Sequence, residues 1–188
     1  MEIKGKQLDF IEDTHTYLVE GTKVESITQL LGRVFPNKYK DIHPEVLKKA
    51  SERGTQVHRA IEAYCKGFDD GSDEVKDFNF LRKHYGFQVL ENELPMILEF
   101  GGKTFAGTCD LILKMDDVLS VADIKTTSEL DKNYLGYQLN LYRLGVMQCY
   151  GYDIKELYGI HIRDGKRKLV KIPVVTEEQL YESIKDIV

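Results

Sequence analysis

The stretch Thr104–Leu113, reading Thr-Phe-Ala-Gly-Thr-Cys-Asp-Leu-Ile-Leu, constrains this chain more than any other. It is mostly apolar on both alternating faces, which predicts a strand covered on both sides and therefore central in a sheet. Asp110 stands in the middle of it. A carboxylate buried there is costly unless something pairs with it. The following stretch, Val118–Lys125, predicts a second strand with Asp123 and Lys125 two residues apart and so on one face. If Asp116-Asp117 is a two-residue turn, Met115 pairs with Val118, and the same register sets Asp110 opposite Asp123. Like charges facing each other across a ladder are unfavourable. A divalent cation between them turns that penalty into a binding site. Hard oxygen donors select Mg²⁺ or Mn²⁺, and a lysine beside them suits metal-assisted hydrolysis of a phosphodiester. A lone D-x-K pair is commonly a surface ion pair. The apolar surroundings of Asp110 and the hairpin register argue for more.

The rest of the chain builds around these strands. Gln7–Ile11 and Thr16–Val19 predict strands joined at Glu12-Asp13-Thr14. Ser26 opens a short helix with a capping-box spacing to Gln29, and Pro36 breaks it. Pro44 suits the first turn of a helix from about His43 to Cys65, with Leu47, Ala50, Gly54, Val57, Ile61 and Tyr64 as its buried stripe. Ser72 caps a helix carrying Val75, Phe78, Leu81 and Tyr85. Strands are predicted over Phe87–Leu90, Pro95–Phe100, Thr104–Leu113 and Val118–Ile124, with Gly101-Gly102 as a hairpin turn. Tyr134–Tyr150 reads as a helix apolar nearly all round, hence buried on several sides. Lys155–Arg163 and Arg167–Pro173 form a last hairpin around Asp164-Gly165, and Thr176 caps a terminal helix. The order predicts one mixed α/β domain spanning residues 1–188.

Several function classes drop out. No apolar run approaches the ~20 residues that span a bilayer, and the charged start Met1–Lys6 lacks a signal-peptide core. The expectation is a soluble, cytoplasmic protein with no membrane partner. Cys65, Cys109 and Cys149 form no C-x-x-C pair, so neither a zinc ribbon nor a disulfide framework is expected. A formal net charge of −5 argues against a uniformly basic nucleic-acid surface, while leaving room for a local basic groove. The chain has no P-loop, G-x-G-x-x-G or G-x-S-x-G, which disfavours nucleotide cofactors and ordinary α/β-hydrolases.

Further pieces surround the two aspartates. His58 lies four residues after Gly54 and shares a helix face with Glu62; Gln138 and Tyr142 are neighbours on the later helix. Taken in order, Gly54-Thr-Gln-Val-His58, Gly107-Thr-Cys-Asp110, Asp123-Ile-Lys125-Thr126 and Gln138-Leu-Asn-Leu-Tyr142 resemble the motifs of the PD-(D/E)xK nuclease superfamily, in its RecB-like branch with phage exonucleases. Thr14-His-Thr-Tyr17, followed by Val24-Glu-Ser-Ile-Thr28, is similar to the opening of small phage-encoded members. The resemblance covers roughly Phe10 to Tyr142. It implies a restriction-endonuclease-like core, a central mixed β-sheet flanked by helices, and a Mg²⁺- or Mn²⁺-dependent deoxyribonuclease. By that resemblance Asp110, Asp123, the Ile124 carbonyl and His58 are metal ligands. Lys125 orients the attacking water. Gln138 and Tyr142 hold DNA or brace the site, and Glu93 supports it, with Glu99 a competing choice. Glu62, Arg53, Arg59 and Thr126 complete the supporting set. The cysteines do not match the spacing of the iron–sulfur cluster that some relatives carry, so none is expected.

The implied reaction is hydrolysis at linear or single-stranded DNA ends, in phage or prophage recombination or DNA processing. A phage recombination or single-strand-binding protein is a conceivable partner. A structure-specific endonuclease and a non-catalytic DNA-binding or assembly protein are the alternatives. Two basic clusters offer phosphate tracks: Lys38, Lys40, Lys48, Lys49, Arg53 and Arg59, then Arg163, Lys166, Arg167, Lys168 and Lys171. Tyr39, Tyr134 and Tyr137 are candidates for stacking on unpaired bases. Oligomeric state, strand polarity and the number of metal ions are open at this stage.

Overall fold

The computed structural model describes residues 1–188. In chain order the strands are β1 (Glu2–Ile3), β2 (Lys6–Ile11), β3 (Thr16–Val19), β4 (Thr22–Ser26), β5 (Gln88–Phe100), β6 (Lys103–Met115), β7 (Val118–Lys125), β8 (Ile154–Arg163) and β9 (Lys166–Ile172). The helices are α1 (Ile27–Val34), α2 (Pro44–Cys65), α3 (Asp73–Tyr85), α4 (Lys132–Tyr150) and α5 (Glu177–Ile184). The sheet runs β1-β2-β3-β4-β6-β7-β8-β9, with β5 paired to β6 as a branch. The β4–β6 and β7–β8 pairings are parallel and the others antiparallel. This is the mixed-sheet α/β architecture of a restriction-endonuclease-like core. No helix is long and apolar enough to cross a membrane.

Two apolar layers hold the sheet. On one face α1, α4 and α5 pack Ile27, Leu30, Leu139 and Leu180 against Met96, Phe105, Ile112 and Val121. On the other, α2 and α3 pack Val57, Ile61, Phe78 and Leu81 against Leu111, Leu113, Ile124 and Ile160. The α1 N-terminus carries a reciprocal capping box, Ser26 Oγ accepting from the Gln29 amide and Gln29 Oε1 from the Ser26 amide. Such a cap is worth about 1 kcal/mol.

Five hairpins turn on two residues of positive φ: Lys4-Gly5, Glu20-Gly21, Gly101-Gly102, Asp116-Asp117 and Asp164-Gly165. Turns of this kind match the right-handed twist of the strands they join. Two of them reveal strands that the sequence pattern hides, the two-residue β1 and the largely polar β4. The segments Phe87–Leu90 and Pro95–Phe100 are parts of one continuous β5, which absorbs the polar residues between them and a bulge at Leu90.

The expected buried stripe of α2 is half right. Val57 and Ile61 are buried, but Leu47 is only partly covered and Ala50 is exposed. Helix α3 and the sheet cover only the later turns of α2, so its first turns meet solvent. Tyr85 is exposed because α3 ends there, at the left-handed Gly86.

Gly159 of β8 lies beside Asp123 in the ladder, and a Cβ at this position would approach Leu135 Cδ2 of α4 to 2.6 Å. Leu135 is fully buried and has little room to move. Gly159→Ala should therefore destabilise the protein by about 1–3 kcal/mol. Urea unfolding should show a lower midpoint at unchanged slope.

Candidate active site

The candidate site lies where β6 changes partners. Strand β5 occupies one edge of β6 along its whole length. On the other edge β4 pairs only at Phe105 and Ala106, and β7 only from Met115 back to Leu111. Strands β4 and β7 therefore approach each other head-on along one edge and both stop short. Gly107 to Asp110 pair with neither.

The expected register of β6 and β7 holds from Met115↔Val118 to Leu111↔Ala122, and the ladder ends one pair short of Asp110 and Asp123. In its place Asp110 Oδ2 accepts the Ile124 amide at 2.7 Å. Across the other edge, Asn92↔Leu111 and Leu94↔Cys109 are paired, while Glu93 between them has φ of 48°. The alternation of β6 also breaks at this point. Cys109 and Ile112 face the α4 layer, whereas Leu111 and Leu113 face α2 and α3. Glu93, Asp110 and Asp123 thus form an acidic row across three strands at a local irregularity of the sheet.

His58 of α2 closes the row. Its Nε2 donates to the Ile124 carbonyl at 3.0 Å, and its Nδ1 lies 3.5 Å from Asp110 Oδ2 and 3.9 Å from Glu93 Oε1. Lys125 Nζ is 2.6 Å from Asp123 Oδ2, a close ion pair without hydrogen-bond geometry; that oxygen is buried and has no hydrogen-bond partner. His58, Glu93 and Asp110 each place one donor atom within 4.8 Å of the others, a group able to hold a metal ion. Asp123 Oδ2 leaves a further hard donor, and the set of carboxylates, one imidazole and the Ile124 carbonyl suits a small divalent cation. The Ile124 carbonyl already accepts from His58, so a cation and the imidazole would share it.

Electrostatics bear the strain of this crowding. Burial opposes the charge on His58, but Asp110, Glu93 and Asp123 outweigh it and push its pKa up to about 9. Burial, then the neighbouring Asp110, raises Asp123 to about 6. Asp110 is also raised, by burial above all. For Lys125 burial works against the charge, yet Asp123 and Asp110 prevail and raise its pKa, so the ammonium is retained at neutral pH.

A pocket of about 250 Å³ opens on these groups, and His15, Tyr17, Ser26, Thr28 and Thr108 also line it. Gln138 and Tyr142 of α4 form part of its wall, joined by a 3.1 Å hydrogen bond, and Gln138 Oε1 is buried without a partner. Glu62 and Arg59 line an adjoining cleft. Thr126 follows Lys125, and its carbonyl accepts from Arg163 at 3.0 Å. Arg53 points away, to Asp164 at 2.9 Å and Glu74 at 3.2 Å, and is not part of the site. Of the two candidate glutamates, Glu93 lies 3.9 Å from His58, whereas Glu99 is exposed and tied to Lys6 at 2.8 Å.

Many of the cations expected to track phosphates are committed elsewhere. Arg163 binds Asp164, Arg167 binds Asp77, and Lys171 binds Glu156. Lys38 sits 3.2 Å from the centroid of the Tyr134 ring and pairs with Asp131. Tyr137 packs against Phe35, and Tyr39 is half exposed. Motif spacing does not place His15 and Ser26 at the pocket, or Phe10 at the adjoining cleft. For Phe10 the signal was available: it shares a strand face with Leu8 and so points inward.

No protein-family model matches the chain, and no curated protein matches it. Among solved structures, SSO0001 is similar with a TM-score of 0.51 at 17% identity, over 87% of this chain and 74% of that one. A structure from Eubacterium rectale, to which an exonuclease function is ascribed, aligns with a TM-score of 0.42 at 15% identity; the match covers 71% of this chain and 63% of that one. At these identities the likeness to SSO0001 concerns the fold.

The raised pKa values set a sign for stability without metal. His58 holds its proton more tightly folded than unfolded, so its contribution is complete below about pH 6.5 and disappears as pH rises through about 9. Asp123 acts in the same direction lower down, its ionisation opposing folding as pH rises from about 3.8 to about 6. Thermal melts in chelator should show Tm falling between pH 6.5 and 9, and His58→Gln should flatten that fall. An undiminished slope in the variant would assign it to other groups.

Proposed function

We propose that this protein is a divalent-metal-dependent deoxyribonuclease that hydrolyses phosphodiester bonds at DNA ends, with Mg²⁺ or Mn²⁺ as its metal. One observation carries the reading: the row of Glu93, Asp110 and Asp123 at the fork of the sheet, with Asp123 Oδ2 buried and held 2.6 Å from Lys125 Nζ. A part-exposed Glu93 beside two buried aspartates is a poor device for stability and a good one for a cation. Asp110, Asp123, Glu93, the Ile124 carbonyl and deprotonated His58 would hold the ion. Bound there, the ion would supply Lewis-acid stabilisation of the phosphoryl group and acidify a water molecule.

The chain's own groups divide the remaining work. Lys125 is held as a cation and cannot serve as the general base; it donates hydrogen bonds that orient the attacking water and offset charge developing on the phosphoryl oxygens. Asp123 has to be ionised, which favours activity above about pH 6. Gln138 and Tyr142 brace the pocket wall through their mutual hydrogen bond. The preference for ends over internal sites, and a place in phage recombination or DNA processing, follow from the resemblance of the four motifs.

Incubation with end-labelled linear DNA and with covalently closed circles, single- and double-stranded, tests this in Mg²⁺ or Mn²⁺ with an EDTA control. Linear strands should be degraded and circles spared. Asp123→Ala should abolish turnover in a protein that remains folded by circular dichroism. Lys125→Ala should lower kcat by about 10²–10³-fold while Mn²⁺ binding persists. Nicking of circles would indicate the endonuclease. Cleavage by folded Asp123→Ala would remove the site assignment.

A further inference from the structure

The β2–β3 hairpin carries an exposed aromatic group that the hydrolytic reading leaves unused. Phe10 lies on the same face of β2 as the fully packed Leu8, so its ring points inward, yet it remains 46% exposed. It pairs across the hairpin with Tyr17, the ring centroids 4.6 Å apart, and meets the ring of His15 edge-on at 5.1 Å. His15 is held in the left-handed region at φ 48°. That conformation is uncommon for a side-chain-bearing residue.

What Phe10 faces is a cleft. A space of about 500 Å³ separates the hairpin from α2, and His15, His58 and Glu93 line both it and the pocket at the acidic row, so the two adjoin. Arg59 of α2 reaches Glu12 in the hairpin connection at 3.0 Å, bridging the two walls. A base inside a duplex is paired and stacked, so only an unpaired base can stack on an aromatic ring in this cleft. The cleft also offers three carboxylates, from Glu12, Glu62 and Glu93, which repel phosphate. The group suited to it is therefore flat, uncharged and able to present N–H groups to carboxylates.

We propose that this cleft is a nucleobase subsite, in which an unpaired base next to the scissile phosphate stacks on Phe10, with His15 beside it, so that the enzyme acts on single-stranded DNA. The proposal rests on the nuclease reading and names the substrate class of the same site. Base stacking on an aromatic ring tolerates any sequence because every base has a π-face.

The chain contains no tryptophan, so Phe10→Trp supplies a unique fluorescent reporter. The probes are a mixed-sequence single-stranded oligonucleotide, an abasic strand of the same length and the corresponding blunt duplex. Binding is followed by anisotropy of a label on the DNA, with Ca²⁺ replacing Mg²⁺ to prevent cleavage. The base-bearing strand should quench the tryptophan saturably, and the abasic strand and duplex should not. Phe68→Trp, at a position 73% exposed after α2 and outside both cavities, should stay unquenched. In the otherwise native protein, Phe10→Ala should weaken single-strand binding about tenfold, the scale of one lost base stack.

Equal quenching by the abasic strand or by duplex would overturn the subsite. So would single-strand binding that is insensitive to Phe10→Ala and leaves the emission of the Phe10→Trp variant unchanged; in each of these cases the nuclease reading survives. Failure of every strand to bind would remove that reading and the subsite with it.

Discussion

The structure depends on one backbone circumstance: a central strand whose edge is shared head-on by two others. Strand β6 needs partners on both sides, and on one side β4 and β7 arrive from opposite directions and stop before meeting. Buried backbone groups must be satisfied, and here a side chain takes over, Asp110 accepting the Ile124 amide that the ladder leaves. The same gap gives the side chains of Asp123 and Lys125 a pocket, and gives a ligand access to the middle of a covered sheet. Ligands of α/β sheets commonly bind beyond the carboxyl ends of strands. At this fork two such ends, at Ser26 and Lys125, face each other.

Crowding of like charges follows from that placement. Three carboxylates lie in a row, two of them buried and Glu93 part-exposed, and only one histidine and one lysine stand against them. Burial above all, and for Asp123 then the neighbouring Asp110, raises the pKa of both aspartates. The apolar layers on the two faces of the sheet carry the stability that the site does not supply. Without metal, protonated His58 acts as a substitute counter-charge, donating to the carbonyl that a cation would also seek. Proton and metal thus compete for one position, a coupling general to sites whose ligands must be deprotonated.

The hairpin at the start of the chain extends the site beyond its acidic centre. Its tip is tied to α2 by an exposed Glu12–Arg59 pair, of a kind typically worth about 1 kcal/mol or less. This link is weak enough to open and close, whereas Tyr17 is anchored in the core and bonds Thr108 at 3.1 Å. A firmly seated strand with a loosely tied tip is a reasonable wall for a cleft that must admit a polymer.

Much of this was legible in local pattern. The apolar run around Asp110 marks a central strand; the two-residue turn at Asp116-Asp117 sets the register with β7; Ser26, Ser72 and Thr176 announce their helices by capping chemistry. Each of these depends on neighbours within a few residues, which is why sequence alone determined them. Spacing could not reveal that the ladder would end one pair before Asp110, because the gap depends on where β4, remote in sequence, leaves the same edge. Nor could it separate Glu93 from Glu99, since only the fold of β5 brings one to His58 and leaves the other in solvent. Arg53 looked like a partner for DNA until tertiary contacts set it between Glu74 and Asp164. The residues and the strand register were written in the chain. Which carboxylates meet, which cations remain free, and what Phe10 faces were decided by long-range packing, because each turns on groups that only the folded sheet brings within reach.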